Sequence, residues 1–240
     1  MNALVLIHGF MGGGAQWEGY IDGLAGQFDL ITTDLPGFGA RSHLSPIDSI
    51  DGYADWVIDN LRKAGVVRYH LLGHSMGGMI AQEVALKDND RIDRLVLYAT
   101  GAIGVLPGRF ETIEESKRRA QEEGSAATAR RIAATWFVKR EAAEGFERCA
   151  TIAAQSKLPA INAGLDAMQS WSGKQNLSQI EKETLVLWGD RDRTYPWTQI
   201  QKLWTDIPNS SLAVVPDCAH AVHAEKPELF GRLIADFLAR

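Results

Sequence analysis

"LLGHSMGG", residues 71–78, decides the fold, because Ser75 lies where one sequence pattern ends and another begins. Before it, residues 66–72 form an apolar run typical of a buried strand. After it, residues 76–87 are rich in Ala, Glu and Met, which favours a helix. A serine at such a junction is either a helix cap or a nucleophile on a strained turn, and the rest of the chain must decide.

Strand-like and helical patterns alternate along most of the chain. Six short runs rich in Val, Ile and Leu predict strands covered on both faces, at 3–7, 28–33, 69–72, 94–98, 184–188 and 211–215. Helices are predicted at 14–26, 48–64, 76–88, 197–206 and 227–239. This order predicts an α/β fold with a mostly parallel sheet of about six strands, whose carboxyl ends share the edge where sites form.

One long segment interrupts the alternation. Residues 101–183 contain no convincing strand pattern, and their patterns predict helices at 110–123, 126–138, 141–155 and 159–170. A segment of this length exceeds a simple crossover, so we interpret it as a helical insertion over the carboxyl edge of the sheet. The predicted division is therefore a core at 1–100 and 178–240 with a helical cap at 101–177.

Composition narrows the class of protein. The chain has 240 residues and a net charge of −5, which argues against a nucleic-acid partner because such proteins usually present a concentrated basic face. The basic cluster at 117–119 is interleaved with glutamates, a pattern typical of a solvated helix face. Cys149 and Cys218 lack metal-like spacing, so we expect reduced thiols, no metal and no cofactor.

The chain begins with a short apolar run. The apolar stretch ends after Ile7 and has no basic leader, so it is too short for a signal peptide or a membrane span. We therefore expect a cytoplasmic protein without a membrane partner.

Residues 73–77 match the G-x-S-x-G pattern of a nucleophile elbow, in the strand–turn–helix context that the pattern requires. Side chains at the flanking positions would collide with the strand and the helix, which explains the glycines. The helix that begins at Met76 also directs the positive end of its dipole toward developing negative charge. The pattern alone arises by chance fairly often, but this context favours a nucleophile over a cap.

A serine nucleophile needs a base, and the chain has six histidines. His220 follows the last predicted strand, at the same sheet edge as the serine, and His223 shares its loop as the main competitor. His74 adjoins the nucleophile, but neighbouring side chains on an elbow point in different directions, so we expect a structural role. His70 lies within a strand and is predicted to be structural as well.

The base in turn needs an orienting acid, and the oxyanion needs donors. "GDRDRTYP", 189–196, follows a predicted strand and gives the chain order Ser…Asp…His that such a triad requires. We take Asp192 as the acid and Asp190 as a cap or a partner of a neighbouring arginine. The predicted oxyanion donors are the N–H groups of Met76 and of Phe10, which lies in the glycine-rich loop "HGFMGGG", 8–14.

Together these motifs resemble the α/β-hydrolase family over nearly the whole chain. "HGF", "DLPGFG", "GHSMGG", "LWGDRD" and "DCAHAVHAEKPELF" follow one another in the family's order. By this resemblance, a His-(four residues)-Glu-x-Pro pattern selects His220, with Glu225, over His223, and a Gly-x-x-Asp pattern selects Asp192. The resemblance also implies that the insertion at 101–177 is a mobile cap over the pocket.

Two features depart from the family pattern. Family members usually carry an antiparallel strand pair before the first motif, whereas this chain reaches that motif's strand at residue 3. We therefore expect a sheet that lacks this pair and has an exposed edge, which makes a homo-oligomer conceivable. The loop at 34–42 also carries one extra residue before its serine.

The resemblance implies a reaction class. Related haloalkane dehalogenases and epoxide hydrolases carry an aspartate at the elbow, so Ser75 disfavours both activities. The chain looks most like small carboxylesterases and enol-lactonases, so we expect a small uncharged ester or lactone to acylate Ser75. Two alternatives stay open: a carbon–carbon-bond hydrolase or lyase/synthase that uses His220 as base, and a ligand-sensing protein that kept the fold.

The insertion offers candidate substrate contacts. Its aromatic residues predict an apolar acyl pocket, with Trp136 and Trp171 as the candidates, although packing between helices explains them equally well. Arg41, Lys139 and Arg140 are candidate partners for a substrate carboxylate, but no pattern places them inside the pocket.

Overall fold

The computed structural model describes residues 2–107 and 111–240. Residue 1 of the predicted core and residues 108–110 of the predicted cap, including the start of the predicted helix at 110–123, lie outside the described residues. Within the described ranges, one sheet contains six strands: β1 Ala3–Ile7, β2 Asp29–Thr33, β3 Tyr69–His74, β4 Ile92–Tyr98, β5 Thr184–Gly189 and β6 Ser210–Val215.

The strand order is β2-β1-β3-β4-β5-β6, and every neighbouring pair is parallel. Each predicted strand is present, so the predicted α/β fold with a six-stranded sheet is confirmed. Because the strands are parallel, the segments that follow β1, β3, β5 and β6 all leave the sheet at one edge. These four segments carry the predicted site residues.

Helices cover both faces of the sheet and fill the segment between β4 and β5. The α-helices are α1 Asp22–Ala25, α2 Ile50–Lys63, α3 Met76–Lys87, α4 Ile113–Ala134, α5 Phe146–Ala153, α6 Leu158–Gln169, α7 Trp197–Asp206, α8 Val222–Glu225 and α9 Pro227–Leu238. Short 3₁₀ helices occupy Gly14–Trp17, Gly39–Arg41, Asn89–Arg91, Arg140–Ala142 and Lys174–Gln179.

Two predicted helical stretches differ from the structure at glycines with positive φ. The predicted continuous helix at 14–26 is wrong, because Gly19 at φ +75° separates the 3₁₀ turn Gly14–Trp17 from α1. The predicted helices at 110–123 and 126–138 form one element, α4, with a kink at Gly124, where φ is +81° and ψ is 165°.

The sheet separates two apolar layers, as the alternation of side chains along a strand requires. Val5, Ile7 and Leu71 face the layer packed by α2 and α3, whereas Leu4 and Leu6 face the layer packed by α1 and α9. Both faces are thus covered, which explains why the strand sequences show little polar alternation.

The helices between β4 and β5 pack partly on the core and partly on one another. Ile132 of α4 and Leu165 of α6 belong to the same apolar layer as α2 and α3. Phe137 and Phe146 form a separate cluster, with ring centroids 6.5 Å apart. The division into a core and a cap domain stays a prediction. Within the described ranges, no helix combines the length and apolar character needed to cross a membrane.

Candidate active site

Ser75 occupies a strained turn between β3 and α3. Its φ of +58° and ψ of −121° are unfavourable for a residue with a side chain. The Ser75 N–H donates to Tyr98 O at 3.0 Å, and Ser75 O accepts from Gly78 N at 2.9 Å and from Thr100 Oγ1 at 2.7 Å. These bonds hold the turn, and the Ser75 side chain does not cap α3.

The glycines around Ser75 allow close approach of backbone atoms. A Cβ atom at Gly73 would lie 2.2 Å from Gly77 O, and one at Gly77 would lie 2.5 Å from the carbonyl oxygens of Ile7 and His8. Neither position has room for a methyl group, so the segment after β1 lies directly against the start of α3. This contact supplies the steric reason for the glycines of the elbow.

Asp192 and His220 form a buried pair at the ends of β5 and β6. His220 Nδ1 lies 2.9 Å from Asp192 Oδ2, and the two side chains are 2% and 0% exposed. Asp192 Oδ1 accepts from the N–H groups of Thr194 at 2.7 Å and Tyr195 at 3.3 Å, which fixes the carboxylate. Because a carboxylate accepts at Oδ2, Nδ1 carries the proton and the Nε2 lone pair stays available.

Asp190 and His223, the alternatives to Asp192 and His220, make other contacts. Asp190 Oδ1 accepts from Cys218 N at 3.3 Å and lies 3.8 Å from Arg191 Nε, consistent with the predicted partner role. His223 Nδ1 lies 2.9 Å from the Tyr98 hydroxyl. Burial, and then the charge of the nearby His220, lower the pKa of His223 to about 3. The structure therefore brings His220, not His223, to a carboxylate.

His74 contacts the loop that carries His220, residues 216–221, which we call the histidine loop. Gln16 Nε2 donates to His74 Nδ1 at 3.3 Å, and His74 Nε2 donates to His220 O at 3.2 Å. The Tyr98 hydroxyl also donates to His220 O, at 3.0 Å. Burial, followed by the charges of nearby histidines, holds the pKa of His74 well below its usual range, so this ring is neutral.

The sequence did not indicate the hydrogen-bonded connection between His74 and the histidine loop. The pattern at the elbow indicates a structural residue at position 74, but it does not indicate which segment the side chain meets. Gln16, which completes the chain of hydrogen bonds, lies in a stretch wrongly predicted as continuous helix. No sequence pattern connects positions 16, 74 and 220.

The two predicted oxyanion donors flank Ser75 as expected from their segments. Phe10 follows Gly9, whose Cβ position lies 2.9 Å from Ser75 Cβ, and Met76 begins α3. In the described part of the chain, neither the Phe10 nor the Met76 N–H has a protein acceptor. Free N–H groups at a helix start and in an adjacent loop are suited to stabilise an oxyanion.

His8 fixes the loop that carries Phe10. Its Nε2 accepts from Leu35 N at 3.0 Å, so Nδ1 carries the proton and donates to Gly9 O at 2.7 Å. Burial lowers the pKa of His8, in agreement with a neutral ring. This histidine belongs to the "HGF" motif, and the motif gave no indication of this contact.

A cavity lies in front of Ser75 and His220, beneath α4–α6. Its apolar wall consists of Phe10, Leu106, Ile132, Trp136, Ile152 and Met168. Gln16, Thr194 and His223 add neutral polar groups. Among the described residues that line the cavity there is no Asp, Glu, Lys or Arg. The Ser75 hydroxyl makes no hydrogen bond to a described residue. In enzymes, a hydrogen bond between a serine hydroxyl and its base often forms fully only when a substrate binds.

The structure separates the candidate substrate contacts. Trp136 lines the cavity, with its ring centroid 6.4 Å from that of His220. Trp171 is not among the residues that line this cavity, and its Nε1 donates to Glu83 Oε1 of α3 at 2.8 Å. A substrate contact at either tryptophan stays a prediction.

The candidate cations also lie outside the cavity. Arg41 stacks on Trp56 at 4.6 Å and donates to Asn60 Oδ1 at 3.1 Å. Lys139 and Arg140 are exposed. In residues 2–107 and 111–240, no three His, Cys, Asp or Glu side chains are arranged to hold a metal ion.

Known proteins match this chain along almost its full length. A family model described as alpha/beta hydrolase fold matches residues 2–227. A 2-hydroxy-6-oxo-6-phenylhexa-2,4-dienoate hydrolase of Comamonas testosteroni is 28% identical and covers 99% of this chain and 87% of its own. A pimeloyl-[acyl-carrier protein] methyl ester esterase of Nitrosomonas europaea is 27% identical, with 95% and 92% covered.

A solved structure agrees with the fold. A thermophilic esterase from Thermogutta terrifontis, solved with malate bound, superimposes with a TM-score of 0.90 at 25% identity and covers 100% of this chain and 90% of its own. The family match, the six-stranded sheet and the motif order all agree. The chain therefore belongs to the alpha/beta hydrolase fold family and is a hydrolase, as the resemblance of its motifs predicted.

Proposed function

We propose that this hydrolase cleaves small, uncharged carboxylic esters or lactones through an acyl-enzyme on Ser75. The observation that carries the proposal is the Asp192–His220 pair at 2.9 Å, whose histidine lines the same cavity as Ser75 at the edge of the sheet. A serine on a strained turn, a base and a buried carboxylate are the groups that acyl transfer requires.

Acylation begins with proton transfer. His220 Nε2 takes the hydroxyl proton of Ser75 as Oγ attacks the carbonyl carbon, and the Asp192 carboxylate stabilises the imidazolium that forms. The N–H groups of Phe10 and Met76 stabilise the oxyanion, each by about 2.7–4 kcal/mol. The carbon–oxygen bond then breaks, and His220 gives the proton to the leaving alkoxide.

Deacylation repeats the sequence with water. His220 takes a proton from water as the hydroxide attacks the acyl carbon, and it returns the proton to Ser75 Oγ when the ester bond to the enzyme breaks. The product is a carboxylic acid. With a lactone, the leaving alcohol belongs to the same molecule, and the product is a hydroxy acid.

The uncharged cavity supports a neutral substrate. The dienoate named for the Comamonas relative carries a carboxylate, and a buried carboxylate needs a cationic partner or several donors. Among the described lining residues there is no Lys or Arg to supply one. The apolar wall instead suits the acyl chain of an ester, as in the methyl ester named for the Nitrosomonas relative.

A kinetic screen of the wild type, Ser75→Ala and His220→Ala tests the proposal. The panel contains p-nitrophenyl esters of increasing acyl length, simple lactones and vinylogous diketones. We expect turnover of esters or lactones, and a loss of more than about 10⁴-fold in each variant.

Three outcomes would contradict the proposal. Turnover of the diketones alone would replace ester cleavage with carbon–carbon-bond cleavage. Full activity of Ser75→Ala with loss in His220→Ala would indicate a lyase or synthase in which His220 is the base. Ligand binding without turnover of any substrate would favour a sensing role.

A further inference from the structure

We propose that Glu225 is a positioning residue that links the inserted helices to His220. Its carboxylate joins the histidine loop to residues 136–138, which follow α4 and which we call the clamp segment. The inference rests on the proposed function, because it assigns Glu225 a part in placing the base of that reaction.

Both carboxylate oxygens of Glu225 accept backbone hydrogen bonds. Oε1 accepts from Val138 N at 2.8 Å, and Oε2 accepts from Ala219 N at 2.6 Å. Cys218 Sγ also lies 3.4 Å from Oε2. Bonds to an ionised acceptor are stronger than neutral ones, so a single side chain holds two segments that are distant in sequence.

A second bond completes the link between the clamp segment and the histidine loop. Ala221 N donates to Trp136 O at 2.9 Å. The residues on both sides of His220 are therefore tied to the clamp segment, Ala219 through Glu225 and Ala221 directly. The base lies between two anchored backbone positions.

The acid is tied to the same segment. Arg193 follows Asp192 in the chain, and its Nη1 donates to Phe137 O at 2.8 Å. The three residues of the clamp segment thus contact the loops of both triad partners. A shift of the clamp segment would act on the acid and the base together.

The clamp segment also contributes to the cavity wall through Trp136, whose ring lies 6.4 Å from that of His220. The inserted helices therefore do more than cover the cavity, since the segment that shapes its wall also determines where the imidazole lies. A misplacement of about 1 Å in a catalytic group can cost on the order of 100-fold in rate.

Glu225→Gln tests this role, because it keeps the shape of the side chain. One oxygen becomes an NH₂ group, which then faces either the Val138 or the Ala219 N–H, donor against donor. We expect kcat on the best ester of the panel to fall by about 10- to 100-fold, with KM changed less than about threefold. Glu228→Gln, at an exposed position on α9, is the matched control and should keep wild-type kcat.

Thermal unfolding and active-site titration of each protein separate positioning from simple anchoring. If Glu225 only stabilises the fold, Glu225→Gln will have a lower Tm but wild-type kcat per titrated site, and this result overturns the proposal. If Glu225→Gln does not fold, Arg193→Gln carries the test, with an expected kcat loss of about tenfold; wild-type kcat in that variant overturns the proposal. Failure of the proposed function would be visible separately, as a folded wild type that cleaves no ester.

Discussion

The elbow around Ser75 and the inserted helices α4–α6 are held in place by different forces. At the elbow, backbone atoms of β1, β3 and α3 approach so closely that Gly73 and Gly77 have no room for a Cβ atom. The helices α4–α6 instead combine apolar packing, as at Ile132 and Leu165, with ion pairs between exposed side chains, such as Arg118 with Glu115 at 2.7 Å within α4. Exposed pairs of this kind contribute about 0–1 kcal/mol each.

The difference indicates that steric exclusion fixes Ser75, whereas the position of the cavity wall depends on apolar packing, weak ion pairs and the clamp segment. Substitutions at the elbow and triad should therefore abolish the reaction, and substitutions in α4–α6 should change its preference among substrates. Matched pairs of variants in the two regions test this difference.

Asp192→Asn should have the largest effect, about 10⁴-fold in kcat with the fold retained. The N–H groups of Thr194 and Tyr195 would keep the amide oxygen, so the new NH₂ group would face His220 Nδ1. That contact favours the His220 tautomer in which Nε2 carries a proton. In this tautomer, Nε2 cannot accept the hydroxyl proton of Ser75. Steady-state kinetics measure the loss in kcat, and circular dichroism measures whether the fold is retained.

The matched control for this variant is Asp190→Asn. Among the described residues, the Asp190 carboxylate accepts a hydrogen bond from Cys218 N and lies near Arg191, so we expect kcat within about threefold of wild type. An inactive Asp190→Asn with an active Asp192→Asn would show that the acid is assigned to the wrong residue.

Gly77→Ala should be the next largest change. A Cβ at 2.5 Å from two backbone carbonyls cannot be accommodated without moving β1 or α3, so we expect a loss of more than about 4 kcal/mol in unfolding free energy, together with activity. In Gly124→Ala, the new Cβ meets no neighbour within 4 Å. The strain of an alanine at a φ of +81° should lower the unfolding free energy by about 1–3 kcal/mol. Urea unfolding and kcat measure both; equal effects would remove the contrast between the two regions.

Acid should weaken the layer around the elbow through its buried histidines. The pKa of His223 is about 3 in the folded chain against about 6.5 when unfolded, so between these values only the unfolded state binds the proton. Stability from this group is present above pH 6.5 and falls with decreasing pH by about 1.4 kcal/mol per unit.

Urea unfolding at pH 7 and pH 5 measures this slope. His223→Phe should reduce the difference in unfolding free energy between pH 7 and pH 5 by about 2 kcal/mol, because the ring titrates only over the roughly 1.5 units below pH 6.5, whereas His43→Gln, at an exposed position, should keep that difference. An unchanged slope in His223→Phe would show that the ring does not titrate as its burial requires.

Trp136→Leu should have the smallest effect. Trp136 lines the cavity and Trp171 does not, so we expect Trp136→Leu to lower kcat/KM by about tenfold for the longest acyl chains and Trp171→Leu to change it less than about twofold. The ratio of kcat/KM between long and short esters is the measurement. Equal ratios in both variants would mean that the cavity wall does not select the acyl chain.

The parts of the fold that were predictable depend on local sequence. Short apolar runs indicate the strands, and glycines around a serine indicate the elbow, because both features follow from packing and steric constraints within a few residues. The ends of elements were less accurate: β4 begins at Ile92, two residues before the predicted 94, because the polar Asp93 interrupts the apolar pattern at its start.

The parts of the site that were not predictable depend on contacts between distant segments. Ser75, Asp192 and His220 were candidates because each follows a strand at the same edge of the sheet, and the resemblance to the family motifs favoured His220 over His223 in the same loop. Gln16 contacts the histidine loop through His74 from a position that no local pattern associates with that loop. Glu225 belongs to the motif of His220, but the motif does not indicate its hydrogen bond with Val138 of the clamp segment. Trp136 and Trp171 both lie in the inserted segment, and only the packing of α4–α6 shows which of them lines the cavity.

Intact-protein mass spectrometry during pre-steady-state turnover of a p-nitrophenyl ester tests whether Ser75 carries the acyl group. We expect a burst of p-nitrophenol together with a mass increase equal to the acyl group, located on the peptide that contains Ser75 and absent from Ser75→Ala. Ester turnover by a wild type whose Ser75 never becomes acylated, with comparable turnover by Ser75→Ala, would contradict this expectation.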